Sequence, residues 1–291
     1  MKTARIIPLL LILFCLSPFA TAKKRQDYPQ SEIKAEYNYH YKFMRKGDGA
    51  TVDKNTPFIL LANRSQSKFY CPSTEFKDSL ESTPSGRAKA NRMFDAAVAA
   101  YVQNRDRSAM DGVVYHSRLY VFKDFTKSIS TTYDEAGMGE CGYYDEPFSE
   151  IDWVIVEDST KTILGYQCIM ATTDYHGRKW TVWFTPEIPM QDGPWKFCGL
   201  PGLVMEASEP SGQHCFTVTG IETSQQPIYP VFNTEYEKMD RKEMLRAARH
   251  YRENSNSMFK AATGAELGGG FDAPATEESR KYDYLETDYH E

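Results

Sequence analysis

Hydrophobic and polar positions alternate along much of this chain, and the alternation predicts strands. In 35–44, Tyr37, Tyr39, Tyr41 and Phe43 fall on one face and Glu36, Asn38, His40 and Lys42 on the other. That period of two marks a half-buried strand. The stretches 58–62 and 67–70 read as two more strands, with 63–66 as the turn between them. From 86 to 103 the period changes. Alanines dominate, and Met93, Phe94, Ala97 and Tyr101 recur at helical spacing, which predicts one amphipathic helix.

Strand signals resume at 113–122, 127–133 and 151–157. Leu164, Tyr166, Cys168 and Met170 are placed on one face of the next strand, and Trp180, Val182 and Phe184 on one face of the strand after it. Asp174-Tyr175-His176-Gly177 between them is hairpin-turn chemistry. A final pair, 203–207 and 215–221, is joined by the turn-rich 208–212. Met244, Leu245, Ala248, Tyr251 and Met258 give 238–259 a helical pattern. So many strands with short turns predict a mainly β (α+β) fold. The expected architecture is a large curved antiparallel sheet or open half-barrel with one inserted helix and a C-terminal helix.

The first residues follow a different rule. Lys2 and Arg5 precede the apolar run 6–16, and Ala20-Thr21-Ala22 supplies a small-x-small cleavage pattern. The run is shorter than the roughly 20 residues a membrane span needs. Three segments are therefore expected: a cleavable signal peptide at 1–22, one β-rich domain at 23–262, and a flexible acidic tail at 263–291. The tail follows from the glycine run at 268–270 and the polar, acidic composition beyond it. Export to the periplasm or the outer membrane follows, with secretion also open.

Export changes the reading of composition. Losing Lys2 and Arg5 takes the formal charge from -6 to -8, and no basic stripe offsets it. Nucleic acid is excluded as a partner, since phosphate contacts dominate that affinity. Aromatic content of 13%, with 19 tyrosines, suits well-filled sheet faces. Cys71, Cys141, Cys168, Cys198 and Cys215 remain after cleavage. In an oxidising compartment they are candidate disulfide cysteines, with one thiol left over and the pairing open.

Catalytic motifs are missing from the sequence: no GxSxG, HExxH or P-loop occurs. No catalytic residue, cofactor or metal site is predicted. A nucleophilic cysteine needs a histidine base nearby. His176, at the hairpin tip, lies eight residues from Cys168, more than about 20 Å along an extended strand.

The densest pattern runs from 153 to 206. It holds Gly177-Arg178-Lys179-Trp180-Thr181-Val182-Trp183-Phe184-Thr185-Pro186, then Gly193-Pro194-Trp195-Lys196-Phe197-Cys198-Gly199-Leu200-Pro201-Gly202-Leu203-Val204. This block closely resembles the GLPGLI family of exported Bacteroidetes proteins, with valine closing the signature instead of isoleucine. The resemblance implies a soluble envelope protein. It carries no reaction, cofactor or catalytic residue. At the level of fold alone, the strand order is similar to the open sheets of periplasmic lipoprotein carriers, and fold does not fix function.

Gly193-Pro194 and Pro201-Gly202 are turn formers. Trp195, Phe197, Gly199, Leu200, Pro201 and Gly202 form the candidate ligand or partner loop, read either as a lid over an apolar groove or as a plug on the sheet. The leading expectation is a non-enzymatic envelope protein that binds a lipid, a peptide or an outer-membrane partner protein. The alternatives are a thiol-dependent or other hydrolase, and a structural or assembly factor of the envelope.

Overall fold

A computed structural model describes residues 27–44, 50–104, 107–137, 139–148, 151–232, 236–263 and 284–290. The predicted signal peptide lies outside the described residues, as does 264–283.

Twelve strands form one sheet. The first group is β1 (Ile33–Met44), β2 (Thr51–Ala62), β3 (Gln66–Tyr70), β4 (Tyr120–Asp124), β5 (Ile129–Glu135) and β6 (Cys141–Pro147). The second is β7 (Val154–Ile163), β8 (Tyr166–Tyr175), β9 (Arg178–Thr185), β10 (Leu203–Ser208) and β11 (His214–Thr223), followed by the short β12 (Glu237–Lys238). The spatial order is β12-β6-β5-β4-β3-β2-β1-β11-β10-β9-β8-β7. Two meanders therefore meet where β1 pairs antiparallel with β11. Every pairing is antiparallel except β12 on β6. The sheet is open, with β12 and β7 as its edges. Bulges at Glu36/Tyr37, Val204/Glu206 and Val156/Thr160 interrupt the ladders and bend the strands that carry them.

Alternation places the core as the sequence pattern predicts. Tyr37, Phe58, Leu60, Phe69, Val121, Trp180, Val182, Phe184 and Phe216 pack into one continuous cluster on one face. The opposite face carries a smaller cluster of Leu61, Tyr70, Tyr120 and Ile228. The hairpin at 174–177 is present, with His176 at φ 51 and Gly177 at φ 77. Leu164 departs from the expected strand face. It sits at φ 49 in the β7–β8 turn and is 50% exposed.

Three helices accompany the sheet: α1 (Pro72–Glu81), α2 (Pro84–Asn104) and α3 (Arg241–Thr263). The insertion between β3 and β4 is thus a helical pair followed by a short 3-10 turn at Arg107–Met110, not the single helix expected. Proline at the start of α1 and the i, i+4 pair Phe76/Leu80 were the signals for the extra helix. The C-terminal helix α3 packs Met244 against Ala136 and Tyr144 at the β5–β6 end. It breaks at Asn254, whose φ of -119 is not helical. The segment 284–290, expected to be part of the flexible tail, instead packs on the sheet, and its Glu286 and Tyr289 are buried. No helix among the described residues is long and apolar enough to cross a membrane.

Candidate functional site

The loop between β9 and β10 carries most of the predicted site residues, and burial decides what they do. Trp195 is 1% exposed, Phe197 0% and Leu200 1%. Gly202 is buried as well, while Gly199 and Pro201 face solvent. Trp195 packs against Tyr175, Trp180 and Phe197. These are plug contacts, so the aromatic side chains of the loop present no surface to a ligand.

The signature residues have local physical reasons. Gly199 has φ 89, a conformation that favours glycine. A Cβ on Gly202 would lie 2.1 Å from the Thr185 carbonyl oxygen, so only glycine lets the loop return this close to β9. Lys123, fully buried, reaches across from β4 and ties the loop down. Its Nζ donates to Asp192 Oδ1 at 2.5 Å, to the Gly193 carbonyl at 2.8 Å and to the Phe197 carbonyl at 3.1 Å. Trp153 Nε1 donates to the Cys198 carbonyl at 2.8 Å.

Lys196 turns from this loop into a buried ionic cluster. Its Nζ lies 2.5 Å from Glu146 Oε2 and 2.7 Å from Glu286 Oε1, and donates to Tyr144 Oη at 2.9 Å. His176 stands beside it with both ring nitrogens facing carboxylates. Nε2 is 3.2 Å from Glu146 Oε1 and Nδ1 is 3.3 Å from Asp288 Oδ2. Arg241 of α3 completes the set with contacts to Glu146, Glu286 and Asp288.

Burial pulls the His176 pKa down, but the attraction of Glu286 and the bonds to Asp288 and Glu146 outweigh it, against opposition from Lys196. The imidazole is held above its ordinary value. Lys196, Arg241 and His176 thus face the three carboxyl groups of Glu146, Glu286 and Asp288. Burial works against ionised Glu146, yet Lys196 and His176 hold its carboxyl down at about 2.

This cluster fastens 284–290 to the sheet. Arg178 adds hydrogen bonds to the Tyr284 and Leu285 carbonyls, and Arg246 donates to the Tyr289 carbonyl at 3.0 Å. His176, Glu286 and Asp288 offer donor atoms within 4.8 Å of one another. Both carboxylates already bind Arg241, so a metal ion would have to displace a fixed positive charge. The geometry is that of a structural clamp.

The five candidate disulfide cysteines are all free thiols, so the expected crosslinks are not formed. Cys71, Cys141, Cys168 and Cys198 are buried; Cys215 is partly so. They lie on different strands and loops, and sequence reasoning had no means of placing them. Burial pushes the Cys198 thiol up to about 12 and raises Cys141, Cys168 and Cys215 as well. Such thiols are poor nucleophiles.

Exposed apolar surface lies elsewhere. An open groove of ≈ 300 Å³ runs between α1, α2 and the stretch 111–114. Phe76, Leu80, Met93, Phe94, Val113 and Val114 line it, with Lys77, Glu81 and Asp111 at its polar parts. Phe76 is 63% exposed and Phe94 46%. Lys77 Nζ donates to the Val113 carbonyl at 2.9 Å and sits 3.9 Å from the Tyr115 ring centre, holding that wall in place. Met93 and Phe94 stood out in the sequence as a helix's apolar stripe. Their exposure did not, because the pattern says which residues share a face and not what covers it.

Comparison with known proteins bears on the plug, not on the groove. Residues 173–206 match a family described as "Protein of unknown function (Porph_ging)". The match starts near the end of β8, takes in β9 and the whole loop, and ends in β10. It contains the 199–204 signature, while the insertion lies outside it. No curated protein matches the chain. Among solved structures, PNGF-II in two crystal forms aligns at 13% identity over 75% and 76% of this chain, with TM-scores of 0.48 and 0.47. The chain spans about a third of the PNGF-II chains, 34% and 33%. A LolA superfamily protein from Nitrosomonas europaea aligns at 7% identity, covering 69% of this chain and 89% of its own, with TM-score 0.24. A DUF1329 family protein from Desulfovibrio piger aligns at 5% identity, covering 66% and 86%, with TM-score 0.20.

Proposed function

We propose that this is an exported, non-enzymatic binding protein that takes an apolar ligand in the groove of the α1–α2 insertion. The observation that carries the reading is the joint exposure of Phe76, Met93, Phe94 and Val114 around one concave space. Large apolar side chains gathered in the open mark interaction sites more often than scattered ones do. A volume of ≈ 300 Å³ lies at the lower end of small-molecule sites. It suits a single hydrocarbon chain or one or two apolar side chains of a peptide. The few polar groups at the rim orient such a ligand without demanding a particular head group.

The rival thiol-hydrolase reading loses support from the cysteines. Each is a free thiol, and burial raises the pKa of four of them. The assembly-factor reading draws on the plugged loop, which serves packing.

The test is titration of the exported protein with a fluorescent fatty acid. Saturable binding, lost in Phe94→Ser and Leu80→Asp at unchanged far-ultraviolet circular dichroism, supports the groove. Binding that is absent, or indifferent to both substitutions, overturns it.

A further inference from the structure

The segment 284–290 is held in the way a bound peptide is held. It reads Tyr284-Leu285-Glu286-Thr287-Asp288-Tyr289-His290, with two carboxylates and no lysine or arginine. Residues 264–283 lie between it and the end of α3. The groups that fix it come from the β8–β9 hairpin, the β9–β10 loop and α3. Five basic side chains converge there: His176, Arg178, Lys196, Arg241 and Arg246.

Two kinds of contact divide the work. The first reads only the main chain. Arg178 Nε donates to the Tyr284 and Leu285 carbonyls at 3.1 Å each, and Arg246 Nε to the Tyr289 carbonyl at 3.0 Å. The Thr287 N–H donates to the His176 carbonyl at 3.0 Å. The second kind reads side chains. The Arg241 fork spans both oxygens of Asp288 and also reaches Glu286, the geometry in which arginine selects carboxylates. Lys196 Nζ lies 2.7 Å from Glu286 Oε1, and His176 Nδ1 lies 3.3 Å from Asp288 Oδ2. Tyr289 is 1% exposed. A Cβ on Gly177 would lie 2.3 Å from Thr287 Oγ1, so the hairpin tip leaves room for this segment. His176, Gly177, Arg178 and Lys196 all fall in the family-matched stretch 173–206, and the segment they hold lies outside it.

From this division we infer that the clamp is a binding site for an acidic peptide segment of a partner protein, and that 284–290 is the intramolecular occupant which the partner displaces. The partner segment carries two carboxylates separated by one residue and followed by an aromatic side chain. Charge complementarity argues for that chemistry: the site gathers basic groups in a chain whose net charge is -6. Clusters of basic side chains that hold main chain and carboxylates together are a recurring mode of acidic-motif recognition. The site uses no residue of the α1–α2 groove, and the two readings stand or fall separately.

The experiment uses a fluorescein-labelled peptide with the sequence of 284–290, followed by anisotropy. It is titrated with the native full chain and with the full chain carrying E286Q and D288N, which loosens the resident segment. Saturable binding to the double variant is expected. The native chain should bind on the order of a hundredfold more weakly, because its tethered segment competes at a millimolar effective concentration. A peptide carrying the same two amides should lose on the order of a hundredfold, about tenfold for each hydrogen-bonded charge. Thr287→Pro loosens the segment by a second route: it removes the N–H given to the His176 carbonyl and leaves both carboxylates in place. Far-ultraviolet circular dichroism verifies folding of each variant. No binding to either variant, equal binding to native and variant chains, or indifference to the carboxylates of the peptide overturns the inference. Loss of folding in both variants overturns it too, since the segment would then be part of the core. Sedimentation of the native chain covers the remaining occupant: a dimer that the free peptide dissolves would assign the site to a second copy and overturn the partner reading.

Discussion

Two regions of this molecule treat large apolar side chains in opposite ways. In the 190–204 loop, Trp195, Phe197 and Leu200 are buried, and Lys123 and Lys196 tie the loop to the sheet from two directions. In the α1–α2 insertion, Phe76, Phe94 and Val102 stand in solvent. The recognisable motif lies in the first region, and the exposed apolar surface lies in the second. Motif density therefore reports packing in this chain. The glycines and aromatics of the signature are spaced by the demands of a plug, and the exposed apolar groove lies where local sequence is least distinctive.

The largest expected break in this contrast comes from Lys196→Ala. It leaves Glu146 and Glu286 buried without their cation, which costs about 3–5 kcal/mol. Trp195→Ala belongs to the same range, about 3–5 kcal/mol, through the cavity it opens. Urea denaturation of either variant measures this. A loss under about 1 kcal/mol in both would mean that the loop is not the plug described. Gly202→Ala is expected to cost about 1–3 kcal/mol by overpacking, since its Cβ meets the Thr185 carbonyl.

A smaller effect is pH-dependent. The folded-state pKa of His176 lies above its ordinary value of 6.5. Its contribution to stability is therefore fully present below that value and is lost as pH rises through the folded value. The clamp on 284–290 then carries a net negative charge and weakens. On the acid side the sign is reversed. Glu146, held down at about 2 from 4.5, contributes stability above 4.5 that is lost as pH falls toward 2. Denaturation midpoints across pH, compared between the native chain and His176→Gln, test this. An identical alkaline limb in both would remove His176 from the clamp.

The smallest expected stability change belongs to the insertion. Phe94→Ser touches an exposed side chain and falls within about 0.5 kcal/mol. It is nonetheless expected to abolish binding of the fatty-acid probe. A large loss of stability there would erase the contrast, because it would make the insertion part of the core.

Much of the fold was legible. The alternation in 35–44 became β1, the Asp174–Gly177 turn became a hairpin, and the helical periods at 86–103 and 238–259 became α2 and α3. Less legible were β6, where alternation is blurred by Gly142 and Asp145, and α1, which is too short for a period to stand out. Of the site, Lys196 was visible only as a member of the signature. Its partners come from β6 and from a segment 90 residues away, and no local spacing encodes such a meeting.

The sequence by itself determined which side chains share a face, where the chain turns, and that Gly199, Pro201 and Gly202 shape a tight loop. These are consequences of backbone sterics and of periods of two and 3.6, which act within a few residues. Only the tertiary structure decided which faces are covered. It placed the Trp195 stripe under the sheet's aromatics and left the Phe94 stripe in the open. It also drew six titratable groups from five parts of the chain into one largely buried clamp. Burial and charge pairing are properties of assembled surfaces, and in this protein they separate the plug that holds the fold from the insertion that leaves its apolar side chains exposed.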